Sequence, residues 1–149
     1  ACLFTTATEC GAILSHAPEN VITAMKEYGH NFGMAFQIID DVLDFIGQEA
    51  ELGKPVGSDL AGGAITLPSI IYAESNPDGD LIKAVMENKD AHYVSVLVDK
   101  IRNSPVIEEC TSIAEGFCAE ARRCLNALPD THPRQSLVDL TSYILKRRK

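Results

Sequence analysis

Tryptophan is absent from the 149 residues, and aromatic side chains make up only 6% of them. No apolar run approaches the roughly 18 residues that a membrane span requires, so a transmembrane segment is not expected. Positive charge is scarce as well: 13 Lys and Arg stand against 21 Asp and Glu, for a net charge of −8. A nucleic-acid binder shows the opposite balance, with basic residues gathered on a face, so nucleic acid is set aside as a partner. The five cysteines form no Cys-x-x-Cys pair, and no His stands at zinc-finger spacing from them. Buried thiols in a reducing compartment are the simplest reading of them. No charged stretch followed by an apolar one opens the chain, so no secretory signal is read. What is present is an ordinary globular mixture, 46% hydrophobic and 23% charged, of a size for one domain with its own core.

Apolar residues recur at helical spacing nearly everywhere, and few segments alternate as a strand does. The chain begins on apolar helix formers without a capping Ser, Asp or Asn, as if inside a helix that runs to about Ser15. His16-Ala17-Pro18 breaks it. A long helix is predicted from Glu19 to Ile46, with Val21, Ile22, Met25, Tyr28, Phe32, Ala35, Phe36, Ile39, Leu43 and Ile46 forming a wide apolar stripe. Residues Gly47 to Gly63 hold half of the ten glycines and read as a loop with accessible backbone. Thr66 reads as an N-cap with Pro68 in the first turn of a helix ending near Ser75. Helices over Asp80–Asn88, Ala91–Asn103 and Pro105–Leu128 follow, and a last one from Pro133 sets Leu137, Leu140, Ile144 and Leu145 on one side. The expected fold is all-α, an orthogonal or bundle-like domain without an internal repeat or a linker.

The informative segment is Phe36-Gln37-Ile38-Ile39-Asp40-Asp41-Val42-Leu43-Asp44-Phe45. It places three carboxylates in the most apolar helix of the chain. At about 3.6 residues per turn, Asp40 and Asp44 lie one above the other, and Asp41 is turned roughly 100° away. Like charges one turn apart cost a few tenths of a kcal/mol, and charge beside a buried stripe costs more unless it is neutralised. No Lys or Arg lies between Lys26 and Lys54, so the neutralising charge is not local in sequence. A divalent cation fits, since hard oxygen ligands with a phosphate-bearing substrate are the usual Mg²⁺ arrangement. The alternative is a solvated acidic face of an amphipathic helix.

The loop beyond reads Glu51-Leu52-Gly53-Lys54-Pro55-Val56-Gly57-Ser58-Asp59-Leu60. Lys54 is the first cation downstream of the carboxylates, in a turn able to swing back over the end of the acidic helix. An ammonium there suits a phosphate oxygen, and a plain surface turn residue is the alternative. The ending lacks the Gly-Lys-Ser/Thr of a nucleotide-binding loop. Asp59 is expected to cap or stiffen the loop rather than to bind metal. His16, His30, His92 and His132 are scattered, and the basic tail Lys146–Lys149 suits the C-terminal dipole of the last helix.

Together, Phe36-Gln37-x-x-Asp40-Asp41-x-x-Asp44, Gly53-Lys54-Pro55-x-Gly57-x-Asp59-Leu60 and Thr66-Leu67-Pro68 resemble the trans-isoprenyl (polyprenyl) diphosphate synthase family at its second aspartate-rich motif. The loop wording is more similar to the medium- and long-chain synthases than to the eukaryotic farnesyl type. The resemblance implies the isoprenoid synthase α-helical bundle around a central cavity. It implies Mg²⁺ on two facing aspartate-rich motifs and condensation of isopentenyl diphosphate with an allylic diphosphate through an allylic cation. On this resemblance Asp40, Asp41 and Asp44 serve the metal, Lys54 contacts the allylic diphosphate, and Phe36 and Gln37 line the cavity near the reacting ends.

The family's first aspartate-rich motif, its paired Arg residues and its early Gly-Lys-x-Arg contacts find no counterpart here. The 149 residues therefore resemble the C-terminal half of a synthase with the N-terminal half absent. Such a piece is expected to be inactive alone and to belong to a homodimer when intact. The alternative is a non-catalytic partner subunit of a hetero-oligomeric prenyl diphosphate synthase. Class I terpene cyclases share the metal logic but fit the Gly-Lys-Pro loop poorly. The expected location is cytoplasmic, with organellar import left open by the missing part. The basic tail could meet a diphosphate or, peripherally, an anionic membrane surface.

Overall fold

The structure is a computed structural model that describes residues 1–47, 53, 55–77, 79, 81–88 and 91–147. Among these the regular elements are all helical, in the order α1 (Cys2–Leu14), α2 (Glu19–Ile46), α3 (Ser58–Ala61), α4 (Leu67–Ser75), α5 (Leu81–Asn88), α6 (Ala91–Arg102), α7 (Val106–Cys124) and α8 (His132–Lys146). A 3₁₀ turn at Leu125–Ala127 extends α7, where the sequence suggests helix to Leu128. The all-α expectation holds, and so do the bounds of α2. The predicted loop from Gly47 to Gly63 is corrected in one respect: it contains the single turn α3. No helix among the described residues is long and apolar enough to cross a membrane.

The chain divides into two compact units, one of residues 1–39 with 112–149 and one of residues 40–111. In the first, α1 crosses the beginning of α2 at glycine. A Cβ on Gly29 would collide with Thr8 Oγ1 and stand 2.6 Å from the Phe4 carbonyl oxygen, and one on Gly33 would stand 2.6 Å from the Ala1 Cα. Only glycine permits that approach. It brings the Thr8 hydroxyl within 2.7 Å of the Met25 carbonyl, to which it donates. Tyr28, Phe32, Ala35, Ile38 and Ile39 are buried here, with Cys118 and Ala121 from α7, Leu125 from the 3₁₀ turn and Ile144 from α8. Ile38 lies outside the stripe read from sequence. Leu140, placed with the apolar side of α8, is 45% exposed.

The second unit is organised on α6, whose Val94, Leu97, Val98 and Ile101 are buried. Helices α3, α4 and α5 each pack against it. The end of α2 adds Val42 and Phe45, both fully buried, and the start of α7 adds Val106, Ile107 and Cys110. Thr66 takes the N-cap position of α4 with Pro68 in the first turn, but its hydroxyl makes no capping bond. The cap is the main chain alone, the Thr66 carbonyl accepting from Ser69 and Ile70.

Candidate functional site

The three aspartates of α2 belong to the second unit, and each meets a different environment. Asp40 is exposed, Asp41 is 9% exposed and Asp44 1%. Helical geometry alone would treat Asp40 and Asp44 alike, since they share a face. The returning chain covers only Asp44. The Ser58 hydroxyl donates to its Oδ1 at 2.9 Å, and the Asp59 N–H donates to its Oδ2 at 3.1 Å. The Gly57 N–H donates to the Asp44 carbonyl oxygen at 2.8 Å. Asp41 is close enough to Cys110 of α7 for its charge to act there. Burial pushes the Cys110 thiol up to about 11, and the negative charges of Glu109 and then Asp41 add to the rise.

The last turn of α2 leaves carbonyl groups that no further helical N–H can reach. Gly47 serves Leu43 at 2.8 Å and Gly57 serves Asp44. The Arg102 Nε–H donates to the Phe45 carbonyl at 2.8 Å. Arg102 thus brings a cation to the negative end of the helix dipole. The sequence holds no signal for this, because 57 positions separate donor and acceptor. The Ser58 contact was equally invisible, although Ser58 sits inside the motif. Asp59 holds the loop through its main chain: its N–H meets Asp44, and its carbonyl accepts from Ala64 at 2.8 Å.

Gly57 shows why the loop carries glycine there. Its φ is +74°, in the left-handed region, and a Cβ would stand 2.6 Å from Val98 Cγ2 on α6. Beside it, Pro55, Val56, Ala61, Val98 and Arg102 border a groove of about 510 Å³. Lys54 lies outside the described residues.

Among the described residues no three His, Cys, Asp or Glu side chains converge to hold a metal ion. The donors fit a cation shared between a carboxylate and phosphate oxygens, the manner in which Mg²⁺ is commonly held. Asp40 is the accessible carboxylate for it. They do not form a closed all-protein cage.

Phe36 and Gln37 belong to the first unit. Gln37 is exposed. Phe36 lines an apolar groove of about 520 Å³ with Phe4, Tyr28, Phe32, Ile144 and Arg147. Its ring centroid lies 5.2 Å from that of Phe4, and the Arg147 guanidinium sits 5.1 Å from it on the face of the ring, a cation–π arrangement. His16, His30, His92 and His132 are exposed. The cysteines are all free, and Cys110, Cys118 and Cys124 are buried while Cys2 and Cys10 are exposed.

A sequence model described as polyprenyl synthetase matches residues 1–101. The chain is 37% identical over 149 residues to heptaprenyl diphosphate synthase component 2 of Bacillus subtilis, covering 99% of this chain and 42% of that protein. Its structure is similar to a crystal structure of heptaprenyl diphosphate synthase from Staphylococcus aureus, with a TM-score of 0.90 and 37% identity over 99% of this chain and 46% of the other. It also resembles a polyprenyl synthase from Caulobacter crescentus complexed with calcium and isoprenyl diphosphate, with a TM-score of 0.89 and 28% identity over 99% of this chain and 46% of that one. The chain thus spans less than half the length of the relatives it matches. The family match, the identity and the shared helical fold agree, and the chain belongs to the polyprenyl synthetase family of trans-isoprenyl diphosphate synthases.

Proposed function

We propose that this chain supplies one wall of a prenyltransferase site, binding the diphosphate of an allylic substrate through a divalent cation on the acidic end of α2. The observation that carries it is the exposed Asp40 on a helix whose end is closed by a returning glycine-rich loop, in a member of this family. Asp40, Asp41 and Asp44 are the residues that would hold Mg²⁺, with Asp40 the one open to solvent. A cation there would supply Lewis-acid neutralisation of the leaving diphosphate. Lys54 is proposed to meet a phosphate oxygen from the same loop. Phe36 and Gln37 are proposed to face the reacting carbons, the ring excluding water and the amide orienting the substrate. Isopentenyl diphosphate is the proposed second substrate, its double bond forming the new carbon–carbon bond as the allylic carbon–oxygen bond breaks.

One such wall does not ionise an allylic diphosphate by itself. The wall is proposed to work with a second aspartate-rich motif on further polypeptide, within an intact homodimer. A second reading is a component of a two-part synthase, which the relative named component 2 favours. Melting curves test the binding claim. Mg²⁺ and pyrophosphate together are expected to raise the melting temperature more than the sum of either alone, by mass action, and Asp40→Asn is expected to abolish the excess. In a condensation assay the 149-residue chain alone is expected to give no product. Product dependent on Asp40 from that chain alone would show that it needs no second wall.

A further inference from the structure

We infer that the start of α4 encloses one ordered water, held between the side chains of Thr66 and Ser69, and that this water completes the cap the Thr66 hydroxyl does not make. The inference is independent of the diphosphate site. Thr66-Leu67-Pro68 is the part of the sequence motif that the proposed chemistry leaves without a task. Ser69 is 0% exposed. The Thr66 Oγ1 and Ser69 Oγ atoms are both buried, and neither has a hydrogen-bond partner among the described residues. The two residues are the N-cap and the third helical position of α4, the pair that exchanges hydrogen bonds in a capping box. In that arrangement the N-cap oxygen accepts from the N–H three positions on. Here the Ser69 N–H donates to the Thr66 carbonyl instead, at 2.9 Å, and the Ile70 N–H joins it at 3.1 Å. Pro68 has no N–H, so the Leu67 N–H is the remaining donor of this turn, and it meets no acceptor among the described residues.

A buried hydroxyl without a partner forfeits its hydration, and two in one helical turn are more than a native interior ordinarily leaves unmet. What meets them has to be small, neutral and able both to donate and to accept. The two oxygens are already enclosed by this chain, so a group from another polypeptide does not reach them. A buried anion needs a counter-charge, and no Lys or Arg lies between Lys54 and Lys83. Water fits: it accepts from the Leu67 N–H and bonds to both hydroxyls, which are partners enough for a buried water. It joins the N-cap residue to the turn from which Pro68 and Ile71 enter the core.

Relaxation dispersion of the solvent oxygen counts long-lived buried waters, and urea unfolding reads what they contribute; both use the full chain. Thr66→Val keeps the shape of the side chain, and Ser69→Ala removes the hydroxyl alone. Wild type is expected to hold one more long-lived water than either variant. Each variant should shift the folding equilibrium toward the unfolded state about fivefold, the equivalent of one net hydrogen bond. The double variant should be no worse than the poorer single one, because either change releases the same water. Alanine has the higher helix propensity, so a loss on Ser69→Ala does not come from the helix backbone. An unchanged dispersion, with each variant neutral or more stable than wild type, means that the hydroxyls are dry and overturns the inference. Should a variant fail to fold, a crystal structure of wild type decides. Water density within about 3.2 Å of Thr66 Oγ1, Ser69 Oγ and the Leu67 nitrogen supports the site, and its absence from a well-ordered α4 overturns it.

Discussion

Tyr28 is among the largest fully buried side chains, and its hydroxyl donates to the Leu137 carbonyl at 3.0 Å. Phe at this position would fill the same space but lose that bond, leaving the carbonyl with the helical partner it has inside α8 alone. Tyr28→Phe is therefore expected to lower the unfolding free energy by about 1–2 kcal/mol in urea titration. Burial is also why alkali should weaken the fold. The Cys110 thiol titrates near 9.0 ordinarily and is pushed up to about 11 here, so the folded state keeps a proton that the unfolded chain releases. Its contribution is complete below pH 9.0 and is lost as pH rises toward 11. The Tyr28 hydroxyl, raised chiefly by burial, acts in the same direction above 10.0. The melting temperature is expected to decline over that window, and Cys110→Ala should flatten the first part of the decline. Sequence composition anticipated buried thiols for all five cysteines, and for Cys2 and Cys10 the structure corrects this. They stand on the outer side of α1, because the face of α1 that meets α2 is taken by Phe4 and Thr8.

Helix ends and crossings were legible to different degrees. The break after α1 followed from Pro18, and the structure adds its mechanism. His16 has φ of 55°; its N–H donates to Ile13, and that of Ala17 to Ala12, the paired bonds of a Schellman ending. Glycine ordinarily holds that left-handed position, and another residue there costs about 1–2 kcal/mol. His16→Gly is therefore expected to raise stability, by roughly 0.5–1 kcal/mol once the greater freedom of the unfolded glycine is counted. Gly29 has the opposite sensitivity. A methyl group there meets Thr8 and the Phe4 backbone, so Gly29→Ala should cost about 1–3 kcal/mol as overpacking, measured by thermal unfolding. Nothing in the local sequence distinguishes Gly29 from Gly11, whose Cβ would meet open space. Period and proline reveal a helix and its start, while close approach belongs to the partner element. The same limit applied to α2: of the apolar stripe read from sequence, Tyr28, Phe32, Ala35 and Ile39 are buried, Val21, Ile22, Met25, Phe36, Leu43 and Ile46 are only half-buried, and Ile38, Val42 and Phe45 are buried outside it. The exposed face of α2 runs through Thr23, Lys26, Glu27, His30, Gln37 and Asp40, and the buried side is wider than the stripe.

On the scale of the whole molecule, the motif was legible because residue types at fixed spacing carry its chemistry, and its working geometry was not. Three aspartates read as one cluster have different surroundings, and among the described contacts Ser58 and Asp59 meet Asp44 while Cys110 feels the charge of Asp41. The first unit also exposes apolar side chains on α1: Leu3 is 81% exposed and Leu14 79%. Apolar surface of this kind promotes association, and sedimentation is expected to show the chain self-associating, with Leu3→Lys/Leu14→Lys reducing it. The acidic end of α2 and its loop are proposed to bind diphosphate only together with a divalent cation. Calorimetric titration with an allylic diphosphate, with and without Mg²⁺, measures this most directly. Binding in wild type is expected to need both and to weaken about tenfold or more in Asp40→Asn, the loss of one charged ligand. Equal affinity with and without Mg²⁺, unchanged by Asp40→Asn, would contradict it and leave the aspartates as a helix end closed by its own loop.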